Sequence, residues 1–255
     1  MLDGPALDKV RFDLSEADTK KYPFSLPILK GIKEIVFPSK VTFFVGENGA
    51  GKSTILESVA LLAGLGSEGG NKNINFKTSN EKFYKSAENL ASCMVASWRK
   101  KPVGANAYFF RAESFFNLAN HIDYLAAEGG EGPGKAYAPY GGKSLHEQSH
   151  GESFLTFFNN RLNKDGFYIL DEPEAALSPQ RQLSLLVIIH RLCKDSDSQF
   201  IIATHSPILL AYPEATIYSC DGKSLEKIGY KDSKQYEVTK NFLDNPDQYL
   251  RKLFD

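Results

Sequence analysis

No stretch of this sequence is apolar over the length needed to cross a bilayer, so no membrane-spanning helix is expected. The N-terminus has none of the basic-then-apolar pattern of a secretory signal. Cysteine is scarce: Cys93, Cys193 and Cys220 are odd in number and lack metal-ligand spacing. They read as buried thiols of a reducing compartment rather than as a disulfide framework or a zinc site. Charge of one sign is lacking too. The formal net charge is −1, which announces no nucleic-acid or membrane partner, although a local basic patch is compatible with a neutral total. Neither repeats nor coiled-coil heptads occur. These absences leave a cytoplasmic globular chain. Its 255 residues, 42% of them hydrophobic, suffice for one large domain with a sizeable core.

What is there is organised around Val45-Gly46-Glu47-Asn48-Gly49-Ala50-Gly51-Lys52-Ser53-Thr54, a full match to the phosphate-loop pattern G-x-x-x-x-G-K-[ST]. A β-branched and aromatic strand, Lys40 to Val45, precedes it, and an apolar helix from Thr54 to Leu62 follows. Glycines let the backbone curl until several N–H groups point inward; with the helix N-terminus they make a nest for phosphate oxygens. Gly46, Asn48, Gly49, Ala50, Gly51, Lys52, Ser53 and Thr54 are thus the candidate nucleotide-binding residues. Lys52 is placed to reach the β- and γ-phosphates, and Ser53 to offer its hydroxyl to magnesium.

Residues 1–45 read as strands joined by turns, an antiparallel edge feeding a central sheet, with Tyr22 to Pro27 extended because of its prolines. Phe12, Tyr22 and Phe24 are each open to two readings, stacking on a nucleotide base or packing in the core. A polar, glycine-rich loop spans 64–80, helix then passes into strand over 81–99, and Ala105 to Arg111 reads as a core strand. Arg111 and Glu113 at its end either border a ligand crevice or form a surface ion pair. Residues 128–146 are the least ordered-looking, suited to a lid or a partner-binding loop.

Gly166 to Glu172 is a hydrophobic strand ending in two carboxylates, as a strand buried on both faces reads. Asp171 is placed to hold magnesium, and Glu172 to take a proton from an attacking water. A helix from Gln182 to Cys193 and a strand from Gln199 to Thr204 follow, and a right-handed crossover sets His205 close to Glu172. A hairpin around Asp221-Gly222 and a closing helix over 241–254, broken near Pro246, complete the reading.

Together these pieces resemble an ABC-type ATPase. Phe167 to Pro173 resembles that family's Walker B strand, Glu174-Ala175-Ala176-Leu177-Ser178 its D-loop, and Ala203-Thr204-His205-Ser206 its switch-histidine segment. Gln148-Ser149-His150-Gly151-Glu152-Ser153 falls where the family keeps its Leu-Ser-Gly-Gly-Gln signature: Asp171 lies 22 residues after Ser149 and His205 34 after Asp171, both like the family. Within it, the chain is most similar to compact cytosolic "predicted ATPases" filed as AAA-family, relatives of the heads of chromosome-maintenance and double-strand-break-repair proteins. Gln148 and His150 depart from the signature, and the family's γ-phosphate-sensing glutamine is absent, with Glu113 the nearest candidate and Arg111 the alternative.

The resemblance implies an α/β P-loop nucleoside triphosphate hydrolase fold with a mostly parallel central sheet, an antiparallel edge and a helical subdomain. One domain over 1–255 is expected, with 112–163 as the helical, signature-bearing part. It implies ATP and Mg2+ as cofactors and an ATP-dependent homodimer with composite sites. One subunit would supply Lys52, Ser53, Asp171, Glu172 and His205, and its partner Ser149 and Gly151. For the downstream role it implies action with DNA or a nuclease partner in repair or defence; a membrane transporter's motor subunit and a regulatory or toxin-type ATPase acting on a protein are alternatives.

Overall fold

A computed structural model describes residues 4–66, 69–71, 74–75, 81–102, 106–112, 115–128 and 132–254. The chain opens with strand β1 (Leu7–Phe12), a 3-10 turn (Pro27–Lys30) and strands β2 (Glu34–Val36) and β3 (Val41–Val45). Helix α1 (Lys52–Leu62), short strands β4 (Gly70–Asn71) and β5 (Ile74–Asn75), helix α2 (Glu81–Ser92) and strands β6 (Met94–Trp98) and β7 (Ala107–Arg111) follow. The middle of the chain is helical: α3 (Phe115–Glu128), α4 (Pro133–Tyr137) and α5 (His150–Arg161). The last third holds β8 (Phe167–Asp171), α6 (Pro179–Asp195), β9 (Gln199–Ala203), α7 (Pro207–Leu210), β10 (Thr216–Ser219), β11 (Glu226–Ile228), α8 (Lys234–Asp244) and α9 (Pro246–Phe254).

An eight-stranded sheet runs β11-β10-β3-β9-β8-β7-β4-β5. Its five central strands are parallel and the strands at both ends antiparallel. A second, wholly antiparallel sheet has the order β2-β1-β6. This is the α/β P-loop architecture expected, except that the N-terminal strands make their own sheet instead of extending the central one.

Strand alternation explains why the central strands are apolar at nearly every position. On one face Phe43, Tyr108, Phe110, Tyr168, Leu170 and Phe200 pack against α3, α5 and α6. On the other, Phe44, Phe109, Phe167, Ile169 and Ile201 pack against α1 and the small antiparallel sheet. Both faces are covered, so each side chain of a period-2 strand meets a hydrophobic layer. The helical part is held to the first face by aromatics: Phe157 lies 4.9 Å from Tyr108, 5.8 Å from Phe110 and 5.9 Å from Phe115 between ring centroids.

Several expectations change. Tyr22 to Pro27 is not extended but turns into the 3-10 segment. The reading of 128–146 as a flexible loop does not describe its residues 132–146, where α4 and two 3-10 turns sit and Tyr140 is buried against Phe157. Glycine content misled there, because one buried aromatic can anchor a glycine-rich segment. Of the three thiols, Cys193 and Cys220 are buried and Cys93 only partly. Burial pushes Cys193 up to about 11 and Cys220 up to about 12, so both stay protonated and inert near neutral pH. The closing helix is two helices, α8 and α9, with Val238, Leu243, Leu253 and Phe254 exposed.

Phe157 is fully buried, so Phe157→Ala opens a cavity under the helical layer. We expect a loss of about 3–5 kcal/mol in urea unfolding, against a change within about 0.5 kcal/mol for Val187→Ala on the exposed side of α6.

Candidate functional site

The parallel register brings the functional residues to one edge. Arg111 lies opposite Asp171, Asp171 opposite Ala203, Ala203 opposite Phe44, and Val45 opposite Ser219. The residues that follow these strands, including the phosphate loop, Glu172 and His205, therefore emerge side by side at the carboxyl ends of the strands, where ligands bind in such sheets.

In the phosphate loop Gly46 has φ 149°, and a Cβ there would come within 2.9 Å of Asp221 Oδ1. Gly51 has φ 98° and would press a Cβ to 3.1 Å from the Leu26 side chain, so side chains are excluded at both places. Asn48 and Gly49 form the exposed crest, and Ala50 is held beneath by its N–H on the Glu47 carbonyl (3.1 Å). Lys52 is 4% exposed and folds back over the loop, its Nζ donating to the carbonyls of Gly46 (2.7 Å) and Glu47 (3.1 Å). Thr54 is buried and its hydroxyl is bonded to that of Tyr22 at 2.7 Å. Phe12 and Phe24 pack against the core while Tyr22 stays about half exposed beside the loop. That separates the three aromatics left open by sequence.

Ser53 Oγ donates to Asp171 Oδ1 at 3.2 Å. Asp171 also faces Arg111, whose Nε is 3.8 Å from Oδ2 and whose Nη1 is 2.8 Å from Glu57 Oε1 on α1. This ion-paired group is buried, so the surface-pair reading of Arg111 falls. Truncating the arginine would leave uncompensated carboxylates, at a cost of about 3–5 kcal/mol. Glu113, the other candidate at this strand end, lies outside the described residues.

Glu172 has φ 49° and ψ 53°, a left-handed conformation costing a non-glycine residue about 1–3 kcal/mol. Its Oε1 is 3.4 Å from His205 Nε2, and that nitrogen has no hydrogen-bond partner among the described residues. Glu174 Oε1 accepts the His205 backbone N–H at 2.6 Å and thus fixes the histidine segment. Burial pushes the Glu174 carboxyl above its ordinary value, partly countered by that hydrogen bond.

Ser149 caps α5 in a capping box with Glu152. Its Oγ donates to Glu152 Oε2 (2.7 Å) and accepts from Arg181 Nη1 (3.2 Å), and the bonds from Ser149 hold the Glu152 carboxyl below its usual value. At Gly151 a Cβ would come within 2.3 Å of Arg181 Nη1 and 3.1 Å of the Ala176 carbonyl. The segment is therefore packed on α6 and the turn after Glu172, with its serine hydroxyl already engaged.

Among the described residues no group of three or more His, Cys, Asp or Glu side chains could hold a metal. Mg2+ does not need one: it keeps waters and phosphate oxygens and takes one or two protein oxygens. The Ser53 hydroxyl and Asp171 carboxylate, hard oxygens beside the phosphate nest, fit that demand.

A family model described as "AAA domain" matches residues 26–119, and one described as "AAA domain, putative AbiEii toxin, Type IV TA system" matches 154–211. The ATP-binding protein LolD 2 of a lipoprotein-releasing system, from Caulobacter vibrioides, is 24% identical over 214 residues, covering 77% of this chain and 88% of its own. Among solved structures, cbiO1 of Clostridium perfringens, part of the cbiONQ ABC transporter complex, matches 98% of this chain and 100% of its own, with TM-score 0.53 and 16% identity. A bacterial Atm1-family ABC exporter solved with ATP bound matches 94% of this chain and 44% of its own, with TM-score 0.51 and 18% identity. Fold and matches together define a P-loop ATPase. Within that class the relative and the two structures that it resembles, at 16 to 24% identity, are ABC-type ATP-binding proteins.

Sequence reasoning missed Glu57 and Arg181, and named Glu174 only as part of the D-loop resemblance and Asp221 only as a hairpin turn. Glu57, a lone acid in an apolar helix four residues after Ser53, was the one detectable signal. The other three act through contacts between distant segments.

A carboxyl whose folded-state value is raised contributes fully below its unfolded value, ordinarily 4.5, and loses that contribution as pH rises through the raised value. Glu174→Gln mimics the protonated form and keeps an acceptor for the His205 N–H. Its melting temperature should exceed that of the wild type at pH 7 to 8, the gap closing below pH 4.5 in parallel thermal scans. An unchanged gap across the range would contradict the assignment.

Proposed function

We propose that the chain binds Mg-ATP and hydrolyses it to ADP and phosphate at composite sites between two copies of itself, in the cytoplasm. The observation that carries this is the convergence of Lys52, the Ser53–Asp171 contact and the Glu172–His205 contact on one sheet edge. In this reading 1–255 is one domain, and 112–163 is the part that presents Ser149 and Gly151 to the partner copy.

Lys52 leaves the Gly46 and Glu47 carbonyls to meet the β- and γ-phosphates, while the N–H groups of Gly49, Gly51, Lys52 and Ser53 hold phosphate oxygens. Mg2+, when bound, would supply charge neutralisation for the phosphates. Ser53 and Asp171 are its ligands in this reading, and Arg111, anchored on Glu57, orients the Asp171 carboxylate. Glu172 accepts a proton from the attacking water, its left-handed backbone turning the carboxylate out of the sheet toward His205. His205 Nε2, with no hydrogen-bond partner among the described residues, meets the γ-phosphate. Tyr22 offers a ring face to the base. Ser149 must exchange its bond to Glu152 before it can donate across the dimer, which makes closure a switch between two hydrogen-bonding states.

For the downstream role, the match over 154–211 to a toxin-related AAA model supports an ATPase acting on a partner in repair or defence. The likeness to transporter ATP-binding proteins favours a second reading, a motor subunit docked to a membrane protein, although no helix among the described residues is long and apolar enough to cross a membrane. DNA binding that weakens steeply with salt would favour the first, and recovery with an integral membrane partner the second.

Glu172→Gln should retain ATP binding, lose turnover by about 10²–10⁴-fold and shift from one chain mass to two in light scattering when ATP and magnesium are added. Undiminished turnover would remove Glu172 from the mechanism. A mass of one chain with nucleotide bound would remove the homodimer.

A further inference from the structure

The peptide group between Gly46 and Glu47 is gripped from both sides. Its carbonyl accepts from Lys52 Nζ at 2.7 Å, and its N–H donates to Asp221 Oδ1 at 2.6 Å. Asp221 is 174 residues away in sequence and arrives through the sheet: β10 runs parallel to β3 with Ser219 opposite Val45, and the Cys220 N–H donates to the Val45 carbonyl at 2.8 Å. Gly46 lacks a side chain where this oxygen approaches, since a Cβ would lie 2.9 Å from it. The second carboxylate oxygen is 3.5 Å from Lys234 Nζ at the start of α8, and the Asp221 side chain is only 16% exposed.

Resting on the reading that Lys52 moves to the phosphates, this arrangement leaves one half of the grip unguarded when nucleotide binds. The Gly46–Glu47 peptide then loses its lysine contact, and the Asp221 carboxylate is what keeps its orientation. A rotated peptide would turn a carbonyl oxygen toward the incoming phosphates. An acid this near a triphosphate also brings repulsion, which Lys234 offsets. We infer that Asp221 is a positioning residue for nucleotide binding, holding the phosphate loop in its anion-accepting shape through the Glu47 N–H.

The test is equilibrium binding of N-methylanthraniloyl-ATP with magnesium, together with ATP turnover, for the wild type, Lys52→Ala, Asp221→Ala and Asp221→Asn. Asp221→Ala should bind about tenfold more weakly and raise KM by a similar factor, with kcat within about twofold of wild type. Asp221→Asn, whose amide oxygen still accepts the N–H, should stay within about threefold of wild-type affinity. Wild-type affinity in Asp221→Ala would overturn the proposal. So would an equal loss in both variants, or a fall in kcat and melting temperature at constant KM, because these mark a merely structural contact. A wild type that binds the probe no better than Lys52→Ala would overturn the nucleotide-site reading and this proposal with it.

Discussion

The site depends on a ladder of parallel strands buried on both faces. β3, β9, β8 and β7 are hydrogen-bonded in register, and their carboxyl ends stop within one residue of each other along the sheet edge. Because both faces are apolar, a slip by one residue would turn every side chain to the opposite layer and put Asp171 one step away from Ser53. Hydrophobic packing thus sets the alignment of charges, although no apolar residue touches the reacting atoms.

That edge holds a high density of charge for a buried region. Asp171, Glu57 and Arg111 form one ion-paired group; beside it Glu172 Oε1 lies 3.4 Å from His205 Nε2, and Glu174 accepts the His205 backbone N–H. Glu172, directly after Asp171, is in a left-handed backbone conformation that packing must hold against its own preference. Strain and buried charge placed together suit a site that must change partners. Lys52 sits on its own loop carbonyls and Ser149 on Glu152 and Arg181, so the chain alone already satisfies the groups that the proposed dimer would redirect.

How much could be read in advance follows the range of the interactions. The phosphate loop, the β8 strand with its Asp-Glu end, and the His205 position were legible because each is a local pattern of apolar periodicity or glycine spacing. Within 128–146 the glycines suggested a loose loop, and the packing of Tyr140 against Phe157 could not be foreseen from them. Tyr22 and Phe24 are near neighbours of similar chemistry, and only the path of the chain put one beside Thr54 and the other against the core. The γ-phosphate sensor remained divided between Arg111 and Glu113 for the same reason. The pairing of Arg111 with Glu57 joins a strand end to a helix more than fifty residues earlier.

By itself the sequence determined the class: a phosphate nest at a strand-to-helix turn, a buried strand ending in paired carboxylates, and a core large enough for an α/β domain. These rest on backbone stereochemistry and burial over short windows, which act wherever such residues occur in such an order. Tertiary structure alone decided the partners. Asp221 on the Glu47 N–H, Arg181 on Ser149 and Glu174 on the His205 N–H are single contacts between segments 174, 32 and 31 residues apart. A hydrogen bond is satisfied by any donor and acceptor at the right distance, so residue type does not choose between them, and only the packed sheet brings one pair together.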